Sequence, residues 1–238
     1  MSCEIIIRHA RAEDLQQRME LVRSGYTSYF WDACLFFFFQ ELTLECCVLA
    51  TAILFIFLGV SATTCLLLLP AAAAVVAAAV ACTHHSLAYK QSQSLREEIF
   101  GMVAELRGAL QLDPSAGKVP IHIQLDAKKE SNYYSQLIGT VSVSEFWGPQ
   151  NSGWLHALVV HPNWRGRGTG RALAGAARRA AAARGFDQLL ATASALQPAA
   201  RAALHAAGWE CRASYERPLC GAALTLPLVQ LGLDLPLA

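Results

Sequence analysis

One long run of residues constrains this chain more than any other feature. Residues 42–82 carry a single charged side chain, Glu45. A helix needs about 20 apolar residues to cross a bilayer, so the run is too long for one helix at ordinary tilt and suits two. Gly59 interrupts it near the middle. The sequence therefore predicts a transmembrane helical hairpin, with helices over roughly residues 42–58 and 62–82 and with Pro70 kinking the second helix.

Two other interpretations of this run stay open. The first is a pair of buried core helices in a soluble protein, although cores of this size rarely lack charge for so long. The second is a single long tilted span, because residues 71–81 are mostly alanine and only weakly hydrophobic. The residues on either side of the run help to choose among the three interpretations, because Arg23 precedes the run and Lys90 follows it. Basic residues mark the cytosolic side of a membrane protein, so a hairpin with both flanks in the cytosol is the favoured interpretation.

The hairpin divides the chain into three parts. Residues 1–32 supply a first strand and helix, residues 33–88 form the membrane insertion, and residues 89–238 form the remainder of the domain. Composition agrees with a membrane protein, since 54% of the residues are hydrophobic and only 16% are charged. A net charge of +1 argues against a nucleic-acid partner. None of the eight cysteines forms a CxxC pair, so no metal site is predicted.

Outside the run, hydrophobic periodicity predicts alternating strands and helices. The predicted helices cover residues 12–24, 91–112, 169–184 and 198–207. The predicted strands cover residues 4–8, 121–125, 137–143, 154–160, 187–192 and 224–228, and Pro227 would confine the last one to a sheet edge. Strands followed by helix, strand, helix and strand indicate an α/β domain with a mixed sheet.

A glycine-rich turn carries the clearest chemical signal. The apolar strand that ends near Val160 leads into the turn Arg165-Gly166-Arg167-Gly168-Thr169-Gly170, which opens a helix. Amides of a first helical turn lack partners within the helix and point outward, and the helix dipole adds positive charge there. Such a turn suits a pyrophosphate. A dinucleotide fingerprint would need a third glycine where Arg171 stands, and no P-loop string occurs.

The turn resembles the acetyl-CoA signature of the GNAT superfamily, Arg/Gln-x-x-Gly-x-Gly/Ala, through Arg165, Gly168 and Gly170. Residues 203–209, Ala-Leu-His-Ala-Ala-Gly-Trp, look like the superfamily's L-Y-x-x-x-G-F element. A strand and helix, then a hydrophobic hairpin, then the rest of the fold resembles the camello-like N-acetyltransferases, which include enzymes that acetylate cysteine S-conjugates and aspartate. The resemblance implies a GNAT fold with a mixed, mostly antiparallel sheet flanked by helices and interrupted by the transmembrane hairpin.

This resemblance also implies an activity and a location. The activity is transfer of an acetyl group from acetyl-CoA, without a metal, to a primary amine of a small molecule or protein. The location is the endoplasmic reticulum membrane, with the lipid bilayer as a partner and the catalytic domain facing the cytosol. The alternatives are a catalytically weak or inactive CoA-binding membrane scaffold of the same fold and a membrane structural protein. The acceptor and the oligomeric state stay open.

The resemblance assigns roles to individual residues. Amides of the turn would hold the CoA pyrophosphate, and the Val160 amide would polarise the thioester carbonyl. The cofactor-binding set is thus Val160, Arg165, Arg167, Gly168, Thr169, Gly170 and Arg171.

A general base is expected for the acceptor amine. The candidates are His156 and Glu145, with His161 more readily explained as structural and with Glu97 and Glu98 aligned only loosely. Many relatives carry a tyrosine where this chain has Leu204, and that tyrosine acts as the general acid that protonates the leaving thiolate. A leucine cannot donate this proton.

Overall fold

The computed structural model describes residues 3–108, 121–125, 134–146, 151–220 and 224–235. The strands are β1 (Cys3–His9), β2 (Phe100–Gly108), β3 (Ile121–Leu125), β4 (Tyr134–Glu145), β5 (Ser152–Val160), β6 (Gln188–Ser194), β7 (Glu210–Cys220) and β8 (Leu224–Asp234). The α-helices are α1 (Leu15–Thr27), α2 (Phe30–Phe38), α3 (Glu41–Leu58), α4 (Ala62–Cys65), α5 (Leu68–Gln93), α6 (Thr169–Ala182) and α7 (Pro198–Ala206).

The strands form one sheet in the order β3-β1-β2-β4-β5-β6-β8-β7. Neighbouring strands are antiparallel except for the β1–β3 and β5–β6 pairs, which are parallel. The predicted mixed sheet of an α/β domain is therefore confirmed.

Helices cover both faces of this sheet. On one face α6 buries Leu173, Ala177 and their neighbours against the inward residues of β1, β2, β4 and β5. On the other face α1 packs on β4 and β5, with Val22, Leu95 and Ala157 at the centre of a smaller cluster. The central strands are thus buried on both sides, which is why β2 reads as a nearly continuous apolar segment.

The structure differs from the sequence predictions in three places. The helix predicted over residues 91–112 is wrong, because α5 ends at Gln93, a short 3-10 helix covers Ser94–Glu97 and β2 follows. Strand β7 was not predicted, since its exposed residues lack an alternating apolar pattern. The edge position predicted for the last strand is wrong, because β8 lies inside the sheet between β6 and β7. It accommodates Pro227 because β6 has already ended there, and the Pro227 carbonyl accepts from the Ala195 amide at 3.1 Å.

The predicted hairpin region forms long apolar helices. Helix α3 has no buried residue, and Gly59 ends it with a left-handed φ of +62°. The second helical segment is interrupted at Leu66 and Leu67, where Pro70 cannot donate to the Leu66 carbonyl. By length and composition the helical stretches Glu41–Leu58 and Thr63–Glu97 could each cross a membrane, which alone is weak evidence. The C-terminal half of α5 packs against α1 and buries Ala88 and Ser92.

Candidate active site

A gap opens in the sheet between two parallel strands. β5 pairs with β6 from Ser152 to Leu155, and pairing ends there although both strands continue. Ala157, at a bulge opposite β4, has a positive φ of 51°, which is rare for a residue with a Cβ. The bulge bends β5 away from β6. The result is a V-shaped opening whose walls are the C-terminal halves of the two strands.

The backbone of Val160 lies on the wall of this gap. The His161 amide donates to the Ile138 carbonyl on β4 at 2.8 Å. Because backbone groups alternate along a strand, the Val160 N–H points to the opposite edge, where β6 has diverged. The Val160 carbonyl accepts from Arg165 Nε at 3.0 Å. An amide in this position can donate to an oxyanion that forms in the gap.

The glycine-rich turn follows directly and has the backbone that the motif requires. Gly166 and Gly168 have φ values of +73° and +82°, and a Cβ placed on either would meet no atom within 4 Å. Gly168 is the N-cap of α6, and its carbonyl accepts from the Ala172 amide at 3.0 Å. The glycines are therefore needed for conformation, while the space above them is open. That space and the free amides of the first turn fit a pyrophosphate.

Arg165 points away from this open space. Its Nη2 donates to the Ser28 hydroxyl at 2.8 Å, and its guanidinium lies 5.1 Å from the centre of the Tyr29 ring. Together with the bond to the Val160 carbonyl, these contacts fasten the turn to the end of α1. The side chain of the signature arginine thus fixes the shape of the turn, and its assignment to the cofactor stays a prediction.

The other two arginines of the motif differ in their surroundings. The Arg167 guanidinium stacks over the buried Trp164 ring at 4.8 Å from its centre. Arg171 is exposed and lines an open cleft of about 450 Å³ beside the turn. The cleft also contains Gly168, Gly175 and Arg179, and Arg179 Nη1 lies 3.9 Å from where a Cβ on Gly175 would be. Two guanidinium groups thus flank small residues, an arrangement that suits a phosphorylated ligand.

The two helices beside the gap approach each other through small residues. A Cβ on Gly170 would lie 3.3 Å from the Ala203 Cβ and 3.8 Å from Val160 Cγ2. The neighbouring Thr169 side chain is buried, and its Oγ1 has no hydrogen-bond partner among the described residues. Gly170 therefore lets α6 and α7 come together at the mouth of the gap.

Leu204 and His205 occupy different environments on α7. Leu204 is 3% exposed and belongs to the core cluster under α6. His205 is exposed, and its Nδ1 bonds to the Trp209 carbonyl at 3.1 Å.

His156 lies on β5 on the face covered by α1 and is largely buried. Its Nε2 is 2.8 Å from the Ser144 hydroxyl and its Nδ1 is 3.4 Å from the Ser94 hydroxyl. Ser94 donates its proton to the Gln91 carbonyl, so it accepts from His156 Nδ1–H, and Nε2 accepts from Ser144. The pKa of His156 is lowered to about 4, mainly by burial; Glu98 opposes this shift and Arg18 adds to it. The imidazole is therefore neutral at pH 7 and a weaker base than its ordinary pKa suggests.

This shift has a consequence for stability. In the unfolded chain His156 takes up a proton near its ordinary pKa of 6.5, whereas in the folded chain it does so only near pH 4. Between these values the unfolded state binds more protons, so the free energy of unfolding falls as pH is lowered from 6.5 towards 4, by on the order of 3 kcal/mol. We expect His156→Gln to remove most of this dependence. Melting temperatures measured from pH 7 to pH 4.5 test it, with His161→Gln as the matched control. If the melting temperature changed equally with pH in wild type, His156→Gln and His161→Gln, the assignment of this pH dependence to His156 would be refuted.

Glu145 does not join His156. It is exposed at the end of β4, and its side chain faces away from that of Ser144, which bonds to His156. His161 is half-buried, and its Nδ1 accepts from the Asn163 amide at 3.4 Å. The base candidates His156 and Glu145 therefore lie on opposite faces of the sheet.

A buried ion pair beside His156 was not predicted from the sequence. Arg18 on α1 binds both carboxylate oxygens of Glu98 at 2.6 Å and also donates to Thr140 and Ser142 at 2.9 and 2.8 Å. Gly101 makes room for it, since a Cβ there would lie 2.3 Å from Arg18 Nη2. The pairing joins residues far apart in sequence, so only Glu98 carried any signal, through the loose family alignment.

No cluster of three or more His, Cys, Asp or Glu side chains suited to a metal occurs within the described ranges.

Comparison with known proteins shows a similarity to one family. Residues 98–209 match the model of the acetyltransferase (GNAT) family. No curated protein matches the chain.

Solved structures that are similar to the chain include three acetyltransferase-family proteins. A GNAT-family protein from Desulfovibrio desulfuricans is 13% identical, with 97% of this chain and 98% of that one covered and a TM-score of 0.47. A phosphinothricin acetyltransferase from Sinorhizobium meliloti, in complex with acetyl-CoA, is 19% identical over 64% and 69% of the two chains, with a TM-score of 0.41. A Bacillus subtilis acetyltransferase in complex with CoA is 14% identical over 60% and 81%, with a TM-score of 0.40.

The matched residues contain the gap, the bulged strand and the glycine-rich turn. Residues 98–209, which include the glycine-rich turn, are therefore similar to the acetyltransferase (GNAT) family.

Proposed function

We propose that this protein transfers the acetyl group of acetyl-CoA to a primary amine at a membrane surface. The observation that carries the proposal is the direct succession of a splayed strand and an open, glycine-rich helix start. The splay offers an amide to the reacting carbonyl, and the helix start offers amides to a pyrophosphate. One substrate with both groups, acetyl-CoA, would satisfy both sites together.

The turn residues would divide the binding of this substrate. Amides from Arg167 to Arg171 would receive the pyrophosphate, and the Arg171 guanidinium, in the adjoining cleft, would add charge. Arg165 would act by holding the turn against α1 and the end of β5. The Val160 N–H would stabilise the oxyanion as the amine attacks.

The acceptor must reach the carbonyl as a neutral amine. Between the two base candidates we favour His156, because it shares β5 with Val160 and lies under α1. Its lowered pKa keeps the imidazole unprotonated at neutral pH, so it can accept a proton directly or through Ser144. Glu145, exposed at the far end of β4, would act only on an acceptor that extends to the opposite face.

The membrane context rests on the exposed apolar helices. Large apolar side chains on α2, α3 and α5 are exposed, including Trp31 at 74% and Phe57 at 79%. Exposed apolar surface of this extent is unfavourable in water. We therefore propose that α3 and the first half of α5 form a membrane hairpin of the camello-like type. By the same resemblance, the membrane is the endoplasmic reticulum and the catalytic domain faces the cytosol.

This topology predicts that both ends of the chain are cytosolic. Protease added to sealed microsomes should remove epitope tags from the N-terminus and from the C-terminus alike. A tag on a lumenal resident protein serves as the control for sealed vesicles. Protection of one terminus alone would indicate a single span, and full release of the chain by carbonate would indicate a peripheral protein.

Thiol release from acetyl-CoA tests the proposed activity. Detergent-solubilised protein should release CoA thiol in the presence of an acceptor amine, screened among aspartate, S-benzylcysteine, spermidine and a lysine peptide. The second candidate, a CoA-binding scaffold, is favoured by Leu204, which offers no proton to the thiolate. It predicts that acetyl-CoA raises the melting temperature without any thiol release.

A further inference from the structure

A tyrosine on α1 stands at the gap between the two diverging strands. Tyr26 packs against the small cluster that contains Ala157 of β5, as Val159 of the same strand does. On the other side its hydroxyl is hydrogen-bonded to the side chain of Gln197, the N-cap residue of α7 just beyond β6. The phenol thus lies between β5 and the start of α7, on the face of the sheet opposite α6.

Close packing fixes this position. A Cβ on Gly25 would lie 2.4 Å from Val159 Cγ1, so α1 is in direct contact with the end of β5. Three residues further along α1, Ser28 accepts from Arg165 of the glycine-rich turn. The end of α1 is therefore fastened to both β5 and the turn, and Tyr26 cannot move away from the gap without breaking these contacts.

The Tyr26 hydroxyl carries its proton at neutral pH. Burial raises the pKa of the phenol to about 12, and the hydrogen bond with the Gln197 side chain opposes this rise. A phenol oxygen can accept one hydrogen bond while its O–H donates another. With the Gln197 amide as the donor, the O–H of Tyr26 is available to an acceptor in the gap.

We propose that Tyr26 is a catalytic residue that relays a proton to the leaving thiolate, a role that Leu204 cannot fill. This inference rests on the proposed acetyl transfer. The amine nitrogen forms the C–N bond and the carbonyl pair moves to oxygen, where the Val160 amide stabilises it. The electron pair on the oxygen then re-forms the carbonyl, and the C–S bond breaks. The sulfur leaves with the electrons of that bond and takes the proton of the Tyr26 hydroxyl. The phenolate then takes the proton that the new amide nitrogen gives up, which restores the residue.

The test is Tyr26→Phe, which keeps the ring and removes the hydroxyl. We expect kcat to fall about 100-fold or more, with the KM for acetyl-CoA and the melting-temperature rise caused by CoA unchanged. Tyr89→Phe is the control, because Tyr89 is 55% exposed on α5 and its ring lies under the Arg23 guanidinium. A merely structural role would lower the melting temperature without this separation of kcat from KM.

Each outcome has a distinct meaning. If wild type releases no thiol with any amine tested, the proposed function fails and the role of Tyr26 fails with it. If wild type is active and Tyr26→Phe is equally active, the relay is refuted while acetyl transfer stands. If Tyr26→Phe is inactive but no longer stabilised by CoA, the residue shapes the binding site and the relay is also refuted.

Discussion

Replacing Gly168 by aspartate should abolish saturable binding of acetyl-CoA while the protein keeps its fold. The new side chain has room, since nothing lies within 4 Å of a Cβ at this position. Its carboxylate would sit among the first amides of α6, where a negative charge stabilises the helix but occupies the pyrophosphate site. Two unit charges about 4 Å apart repel by about 4 kcal/mol at an effective dielectric constant near 20. Titration calorimetry should therefore show affinity reduced by at least about 100-fold.

Gly185 offers a closely matched control at the other end of the same helix. Its φ is +80°, against +82° for Gly168, and a Cβ there also meets nothing within 4 Å. Gly185→Asp thus imposes a similar backbone strain and the same added charge, far from the turn. It should bind acetyl-CoA as wild type does. Equal affinity of Gly168→Asp and Gly185→Asp would show that the turn is not the pyrophosphate site.

Replacing Arg18 by methionine should cause the largest loss of stability. The Arg18 side chain is 2% exposed and that of Glu98 is 14% exposed, so removing the cation leaves a carboxylate without a partner in a poorly solvated site. Breaking a buried pair in this way costs roughly 3–5 kcal/mol. The Thr140 and Ser142 hydroxyls also lose their donors. We expect a clear drop in the melting temperature of the solubilised protein.

The double variant Arg18→Met, Glu98→Leu distinguishes the cost of losing the ion pair from the cost of leaving the Glu98 carboxylate buried without a partner. Apolar residues of similar volume can replace a buried ion pair with little loss, so the double variant should recover much of the stability. A single variant as stable as wild type would contradict the account of this pair. A double variant less stable than Arg18→Met would show that Glu98 is stabilised by other groups.

The sequence was informative where one segment determines its own structure. Residues 158–173 show an apolar strand, positive-φ glycines and a helix in order, and β5, the turn and α6 have that form. The helix predicted over residues 91–112 failed because the Phe100, Met102, Ala104 and Leu106 side chains are buried on one sheet face and Val103 and Glu105 on the other. A strand buried on both faces loses the alternation that identifies strands.

The site was predictable only in its local part. The glycines and the Val160 amide follow from the motif, and their roles toward acetyl-CoA stay predictions. His156 could be named from its strand, but its low pKa depends on burial and on the distant charges of Glu98 and Arg18. Tyr26 and Arg18 lie on a helix separated from the motif by the whole apolar insertion. Contacts between such distant segments leave no pattern in a single sequence.

The central claim is acetyl transfer by this domain, and one measurement tests it most directly. Purified protein is incubated with acetyl-CoA and each amine of the panel, and the products are analysed by mass spectrometry together with released thiol. The account predicts an N-acetylated amine formed in equal amount to free CoA, with both absent in Gly168→Asp and present in Gly185→Asp. Acetyl-CoA that binds wild type but yields neither product with any amine tested would contradict it.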